Sequence, residues 1–226
     1  MGRSTEYFGV PQGVAPLIAG MDEVGRGALA GPVTVGVAVV GPATGQVPAR
    51  LRDSKLLTPA VRLAVIPELT TWVRSWRTGS ATPAEIDALG IIGALRLAGH
   101  RALAALPDTD RPHVVILDGA HDWLTHTSQE VFTTVEGTEP RESVIPYPVW
   151  HGPVRTVVKG DMRCASVAAA SVVAKVDRDQ VMVQLHQHFP DYGWESNKGY
   201  GSTVHRVALA EHGATVHHRR SWNLGV

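Results

Sequence analysis

The chain has 226 residues, 44% hydrophobic and 19% charged, which is enough apolar side chain for a sizeable core and too much for a disordered chain. Its 21 basic and 21 acidic side chains cancel, which argues against a protein that coats nucleic acid by bulk charge and leaves room for a local basic groove. No apolar run approaches the roughly 20 residues needed to span a bilayer, residues 1–16 lack the basic start and apolar block of a secretory signal, and the one cysteine, Cys164, cannot close an internal disulfide. The expected setting is the cytoplasm, without membrane contact, and the expected state is a monomer. Leu17–Glu23 is mostly apolar and ends in two acids, and Val33–Val40 suits a buried strand. Between them, Gly25 to Pro32 reads as a glycine-rich turn.

Thr58-Pro59 joins an N-cap residue to a proline in the first helical position, which predicts a helix to about Thr70. Trp72–Arg77 reads as a short strand. Thr82-Pro83-Ala84-Glu85 is a capping box opening a helix to about Leu106, where Gly90, Gly93 and Gly99 permit either close packing or a break. Val114–Leu117 is a β-branched run that gives way to Asp118-Gly119. Residues 121–152 are acidic and proline-bearing, and read as a surface insertion with a short helix around Ser128–Val135; Trp123, Trp150 and His151 are expected to anchor it. Val154–Val158 is the next strand, Ala165–His188 a long and largely buried helix, and Thr203–Glu211 a short helix stopped by Gly213. Strands and helices mix without strict alternation. The fold class is therefore α/β, one domain over residues 1–226, with a central mixed sheet flanked by helices.

Four acids carry the chemical signal: Asp22, Glu23, Asp118 and Asp161. Each follows an apolar, strand-like run, and strand ends are where an α/β sheet presents side chains to a ligand. Carboxylates gathered at one point repel, and a divalent cation relieves the repulsion; hard oxygen donors suit Mg²⁺ or Mn²⁺. An acid after a strand is, taken singly, more often a turn former or a helix cap. Asp22 and Glu23, being adjacent, serve one site only where the strand is ending, because alternation otherwise sends them to opposite faces.

The run Gly20-Met21-Asp22-Glu23-Val24-Gly25-Arg26-Gly27-Ala28-Leu29-Ala30-Gly31-Pro32-Val33 closely resembles the signature of the bacterial ribonuclease HII, or type 2 ribonuclease H, family. Asp53-Ser54-Lys55-Leu56-Leu57, Leu117-Asp118-Gly119, Lys159-Gly160-Asp161, the helix Ala165–Lys175, Arg178-Asp179 and Asn197-Lys198-Gly199-Tyr200-Gly201 follow in the family's order. The resemblance implies a ribonuclease H-like fold and catalytic, metal-holding roles for Asp22, Glu23, Asp118 and Asp161. It implies a Gly25-Arg26-Gly27 backbone that contacts the ribose 2′-OH, and a Tyr200 that packs on the following sugar to read the RNA–DNA junction. Arg26, Lys55 and Lys198 sit within family motifs and are expected at the substrate. The implied activity is two-metal hydrolysis of the RNA strand of RNA–DNA hybrids, and cutting 5′ of ribonucleotides embedded in DNA, leaving 3′-OH and 5′-phosphate ends.

The long gap between Asp118 and Asp161 is a departure from compact relatives, and the insertion accounts for it. Asp122 competes with Asp118 for the third position but lacks the preceding strand. Asp179, four residues after Lys175, reads as half of a helix-surface pair, and His217-His218 as a solvated or nucleic-acid-facing pair. Two other classes fit parts of the pattern: a catalytically silent hybrid-binding module, against which the four acids speak, and a phosphate-binding α/β protein, against which the missing Gly-Lys-Ser/Thr ending of a P-loop speaks.

Overall fold

The computed structural model describes residues 15–51, 54, 57–125 and 149–225. Lys55 and most of the insertion, including the helix expected at Ser128–Val135, lie outside them.

Five strands form one mixed sheet. They are β1 (Ile18–Val24), β2 (Val33–Val40), β3 (Ser75–Ala81), β4 (Val114–Asp118) and β5 (Val154–Val157), in the order β3-β2-β1-β4-β5. β1–β2 and β2–β3 are antiparallel, whereas β1–β4 and β4–β5 are parallel. The helices are α1 (Pro59–Trp72), α2 (Pro83–Ala104), α3 (Gly160–Arg163), α4 (Ala165–His188), α5 (Trp194–Asn197) and α6 (Thr203–His212).

Strand alternation divides the core. Ala19 and Met21 of β1 and Val33, Val35, Val37 and Val39 of β2 pack with Leu95 and Ala98 of α2. Ala38 packs on the other side, against Ala169, Ala170 and Val173 of α4. Gly20 and Gly36 share that second face, and a Cβ on either would fall 2.2 Å from α4 backbone, on Ser166 C or Ala170 O. This explains the run of alanines in α4: small residues on both sides let a helix lie directly on the sheet. Asp22 pairs with Gly36 across β1–β2, so it too faces α4.

The capping box at Thr82 forms as predicted, with the Glu85 amide donating to Thr82 Oγ1 at 3.3 Å and the Thr82 amide to Glu85 Oε2 at 2.8 Å. Both readings of the α2 glycines hold at different positions. Gly90 (φ 67°) breaks the helix with a kink, and Gly99 admits Trp123 and Leu124, each 2.9 Å from where its Cβ would stand. Trp123 is buried and Trp150 packs against the same cluster, so the two tryptophans anchor the described ends of the insertion as expected, whereas His151 is exposed and does not. The third strand departs from expectation. Trp72 closes α1 and the strand begins at Ser75, running through Gly79 where α2 passes so close that a Cβ would lie 2.2 Å from Ala98 O.

Candidate active site

Asp22, near the end of β1, Asp118, the last residue of β4, and Asp161 come together. One carboxylate oxygen from each lies within 4.8 Å of the others. Asp161 is not at a strand end as expected: β5 stops at Val157, a left-handed Lys159 (φ 56°) turns the chain, and Asp161 sits in the short helix α3. Asp22 and Asp161 are buried. The Asp118 carboxylate accepts from the Gly160 amide at 2.7 Å, which ties β4 to the start of α3.

Burial, followed by the charges of Glu23 and Asp118, pushes Asp22 up to about 7, opposed by a hydrogen bond from Ser171. Ser171 in turn meets Ser54, Oγ to Oγ, at 2.8 Å. Ser54 lies in a family motif and Ser171 is a hydroxyl inside an otherwise apolar helical run, which is the signal that the sequence carries for this pair.

Glu23 stands apart from the three aspartates. Its side chain pairs with Arg26 Nη1 at 3.4 Å, and its own amide donates to Asp22 Oδ1 at 2.7 Å. Burial raises its pKa, Arg26 lowers it, and Asp118 raises it again, so Glu23 feels the cluster without joining it. Asp122 is a turn former: it accepts from the Leu124 and Thr125 amides at 3.0 Å and from the Thr125 hydroxyl. Asp179 takes the expected partner, Lys175, at 2.6 Å, and Arg62 lies 3.6 Å from its other oxygen.

The ribonuclease HII family matches residues 19–224. The ribonuclease HII of Streptomyces avermitilis is 50% identical over 208 residues, 92% of this chain and 77% of that one. The chain belongs to the ribonuclease HII family. A second relative, from Paracoccus denitrificans, is 42% identical over 92% of this chain and 85% of its own length. The fold is ribonuclease H-like: the chain superposes on the ribonuclease H2 of Pyrococcus horikoshii OT3 with a TM-score of 0.67 at 26% identity, covering 92% of this chain and 94% of that one. As a member of the ribonuclease HII family the enzyme is a metal-dependent ribonuclease, a hydrolase of phosphodiester bonds.

The substrate residues expected from the family motifs lie in two segments. Gly25 is buried with φ 83°, whereas Arg26 and Gly27 are exposed. Lys198 is left-handed (φ 51°), its ammonium reaches the Glu195 carbonyl, and Tyr200 is 40% exposed. The two segments touch: the Leu29 and Ala30 amides donate to Gly199 O at 2.8 and 3.2 Å. The histidine pair differs from expectation. His218 is buried, with its Nε2 3.0 Å from His205 Nε2 and its Nδ1 accepting from the Thr215 amide, and His217 packs edge-on to Phe189 and Trp194. No helix among the described residues is long and apolar enough to cross a membrane.

Proposed function

We propose that the enzyme hydrolyses the RNA strand of RNA–DNA hybrids and also cuts 5′ of single ribonucleotides embedded in duplex DNA. The observation that carries this is the convergence of Asp22, Asp118 and Asp161 within 4.8 Å beside the Gly25-Arg26-Gly27 turn. The donor set is all carboxylate and partly desolvated, and burial, with the neighbouring carboxylates, holds Asp22 at a raised pKa, which fits Mg²⁺ or Mn²⁺ and not a thiolate metal. Asp22, Asp118 and Asp161 would hold such ions, with Glu23 drawn in from Arg26. When bound, a pair of them supplies the charge that activates water and stabilises the leaving oxygen. The protein's own part is positional. Gly160 fixes the Asp118 carboxylate, Ser171 fixes that of Asp22, and the exposed Gly27 lets backbone approach a ribose with no Cβ in the way.

In this reading the attack is in line on phosphorus, and the 2′-OH is recognised without acting as nucleophile, so the products carry 3′-OH and 5′-phosphate ends. Arg26, Lys55 and Lys198 contact phosphate, and Tyr200 lies on the deoxyribose that follows the ribonucleotide. The enzyme acts as a single catalytic domain, a monomer in the cytoplasm. The test is a labelled duplex containing one ribonucleotide, incubated with Mg²⁺ or with EDTA. The reading predicts Mg²⁺-dependent cutting at the ribonucleotide and none in an all-DNA control; cutting that persists in EDTA would contradict it.

A further inference from the structure

Behind the Gly25-Arg26-Gly27 turn lie two guanidinium groups, Arg178 of α4 and Arg219 of the C-terminal tail, both 0% exposed. Every hydrogen-bond acceptor they have among the described residues is a main-chain carbonyl. Arg219 donates from Nη1 to Arg26 O at 2.9 Å, from Nη2 to Gly25 O at 2.6 Å, and from Nε to Gly31 O at 3.3 Å. Arg178 donates from Nε to Pro32 O at 2.9 Å and from Nη2 to Ala30 O at 3.2 Å, while its Nη1 reaches across to Lys198 O at 2.9 Å. Its Cζ stands 5.6 Å from the centre of the Tyr200 ring. One side chain therefore packs against Gly25, holds the Ala30 and Pro32 carbonyls and the Lys198 backbone, and lies over the face of Tyr200.

Burying a cation is costly, and apolar side chains of similar volume would fill a core at less expense. What a guanidinium adds is a planar fork that fixes the angles of several acceptors at once. Gly25 makes room for this fork, and Gly199 lets the Lys198 segment close on the glycine-rich turn. A Cβ on Gly25 would lie 2.0 Å from Arg178 Nε, and one on Gly199 would lie 2.3 Å from Ala30 O. The tail carrying Arg219 is itself laid against the turn: the Arg219 amide donates to Leu29 O at 3.0 Å and the Gly31 amide to His217 O at 2.8 Å.

We propose that Arg178 and Arg219 are positioning residues that fix the Gly25-Arg26-Gly27 turn relative to Tyr200, and so set how strongly the enzyme discriminates an RNA–DNA junction from continuous RNA. This rests on the reading above that those two segments contact successive sugars. Neither arginine touches substrate; each acts through the backbone it holds. Lysine in either place keeps the charge and loses the fork, so the turn stays in place with its angle to Tyr200 released.

The experiment makes Arg178→Lys and Arg219→Lys in the full chain, confirms folding by circular dichroism and melting temperature, and measures kcat/KM on a duplex with one embedded ribonucleotide and on a long hybrid. Each variant is expected to fold and to lose at least tenfold more on the embedded ribonucleotide than on the hybrid. Tyr200→Ala added to Arg178→Lys is expected to cost little more, because the two act on one property. Equal losses on the two substrates, losses that add with Tyr200→Ala, or failure of both lysine variants to fold would overturn the proposal and assign the arginines to the core. A wild-type enzyme with no preference between the substrates would overturn the reading of Tyr200 itself, and that result is visible before any variant is made.

Discussion

The Gly160 amide donates to Asp118 Oδ1 over 2.7 Å, joining two residues 42 positions apart in sequence. It closes the site across the insertion by tying the end of β4 to the start of α3. Asp118→Asn keeps an oxygen able to accept from Gly160 and removes the charge. The fold is expected to hold, with an unchanged circular dichroism melt, while cleavage falls at least about a hundredfold. Asp122→Asn is expected to cut at the wild-type rate, since Asp122 serves only its own turn. The reverse pattern in kcat/KM would move the third acid from Asp118 to Asp122.

Asp22 makes the metal-free protein pH-dependent. Burial first, then Glu23 and Asp118, raise it from 3.8 to about 7, so between those values the folded chain keeps a proton that the unfolded chain has released. Its stabilising contribution is full below about pH 4 and is lost as pH rises through about 7. In EDTA, the urea midpoint of wild type relative to Asp22→Asn should therefore fall as pH rises from about 5 to about 8. Saturating Mg²⁺ should abolish that fall by favouring the carboxylate. A flat difference in EDTA would mean that Asp22 is ionised throughout.

His218 acts in the opposite sense. Burial, followed by the charges of His205 and His217, lowers it from 6.5 to about 4. Its neutral ring is required by geometry, because the Thr215 amide donates to Nδ1 and leaves Nε2–H to donate to His205. The stability this provides is full above about pH 6.5 and is lost as pH falls through about 4. Urea midpoints should drop from about pH 7 to about pH 5 more steeply in wild type than in His218→Asn. Parallel profiles would show that the pair carries no proton-linked stability.

Two glycines of the same turn should separate fold from function. Gly25 has φ 83° and Arg178 Nε where a Cβ would go, so Gly25→Ala is expected to destabilise the protein, with a clear drop in melting temperature. Gly27 has nothing within 4 Å of its Cβ position, so Gly27→Val should melt like wild type. Its activity should nevertheless fall on every RNA-containing substrate, because the side chain stands where a ribose must approach. Full activity in Gly27→Val would remove the turn from the substrate interface.

Much of this was legible in the sequence because the local signals agree with the fold. β2, α4 and the capping box at Thr82 sit where valine content, alanine content and cap chemistry place them. β3 was displaced because Trp72 and Trp76 look like strand, while Gly79 looks like a breaker; only the close passage of α2 gives that glycine its purpose. Asp22, Asp118 and Asp161 were found as a set, but the separation of Glu23 was not, since it depends on the Arg26 partner and on the face to which β1 turns it. Arg178 lies in a family motif, but nothing local in the sequence marks Arg178 or Arg219 as buried. Their burial and their carbonyl acceptors follow from segments 146 to 194 residues apart meeting in space, which no local pattern encodes.

The most direct test of the account is the chemistry of the cut ends. Wild-type enzyme is incubated with Mg²⁺ and a duplex carrying one ribonucleotide, labelled on either side of it, and the fragments are resolved beside Asp118→Asn. The account predicts one cut on the 5′ side of the ribonucleotide, a 3′-OH on the upstream fragment, a 5′-phosphate on the downstream fragment, and at least about a hundredfold less product from the variant. A 2′,3′-cyclic phosphate end, or the same fragments from Asp118→Asn at the wild-type rate, would contradict it, because either result takes the attacking water away from the three aspartates.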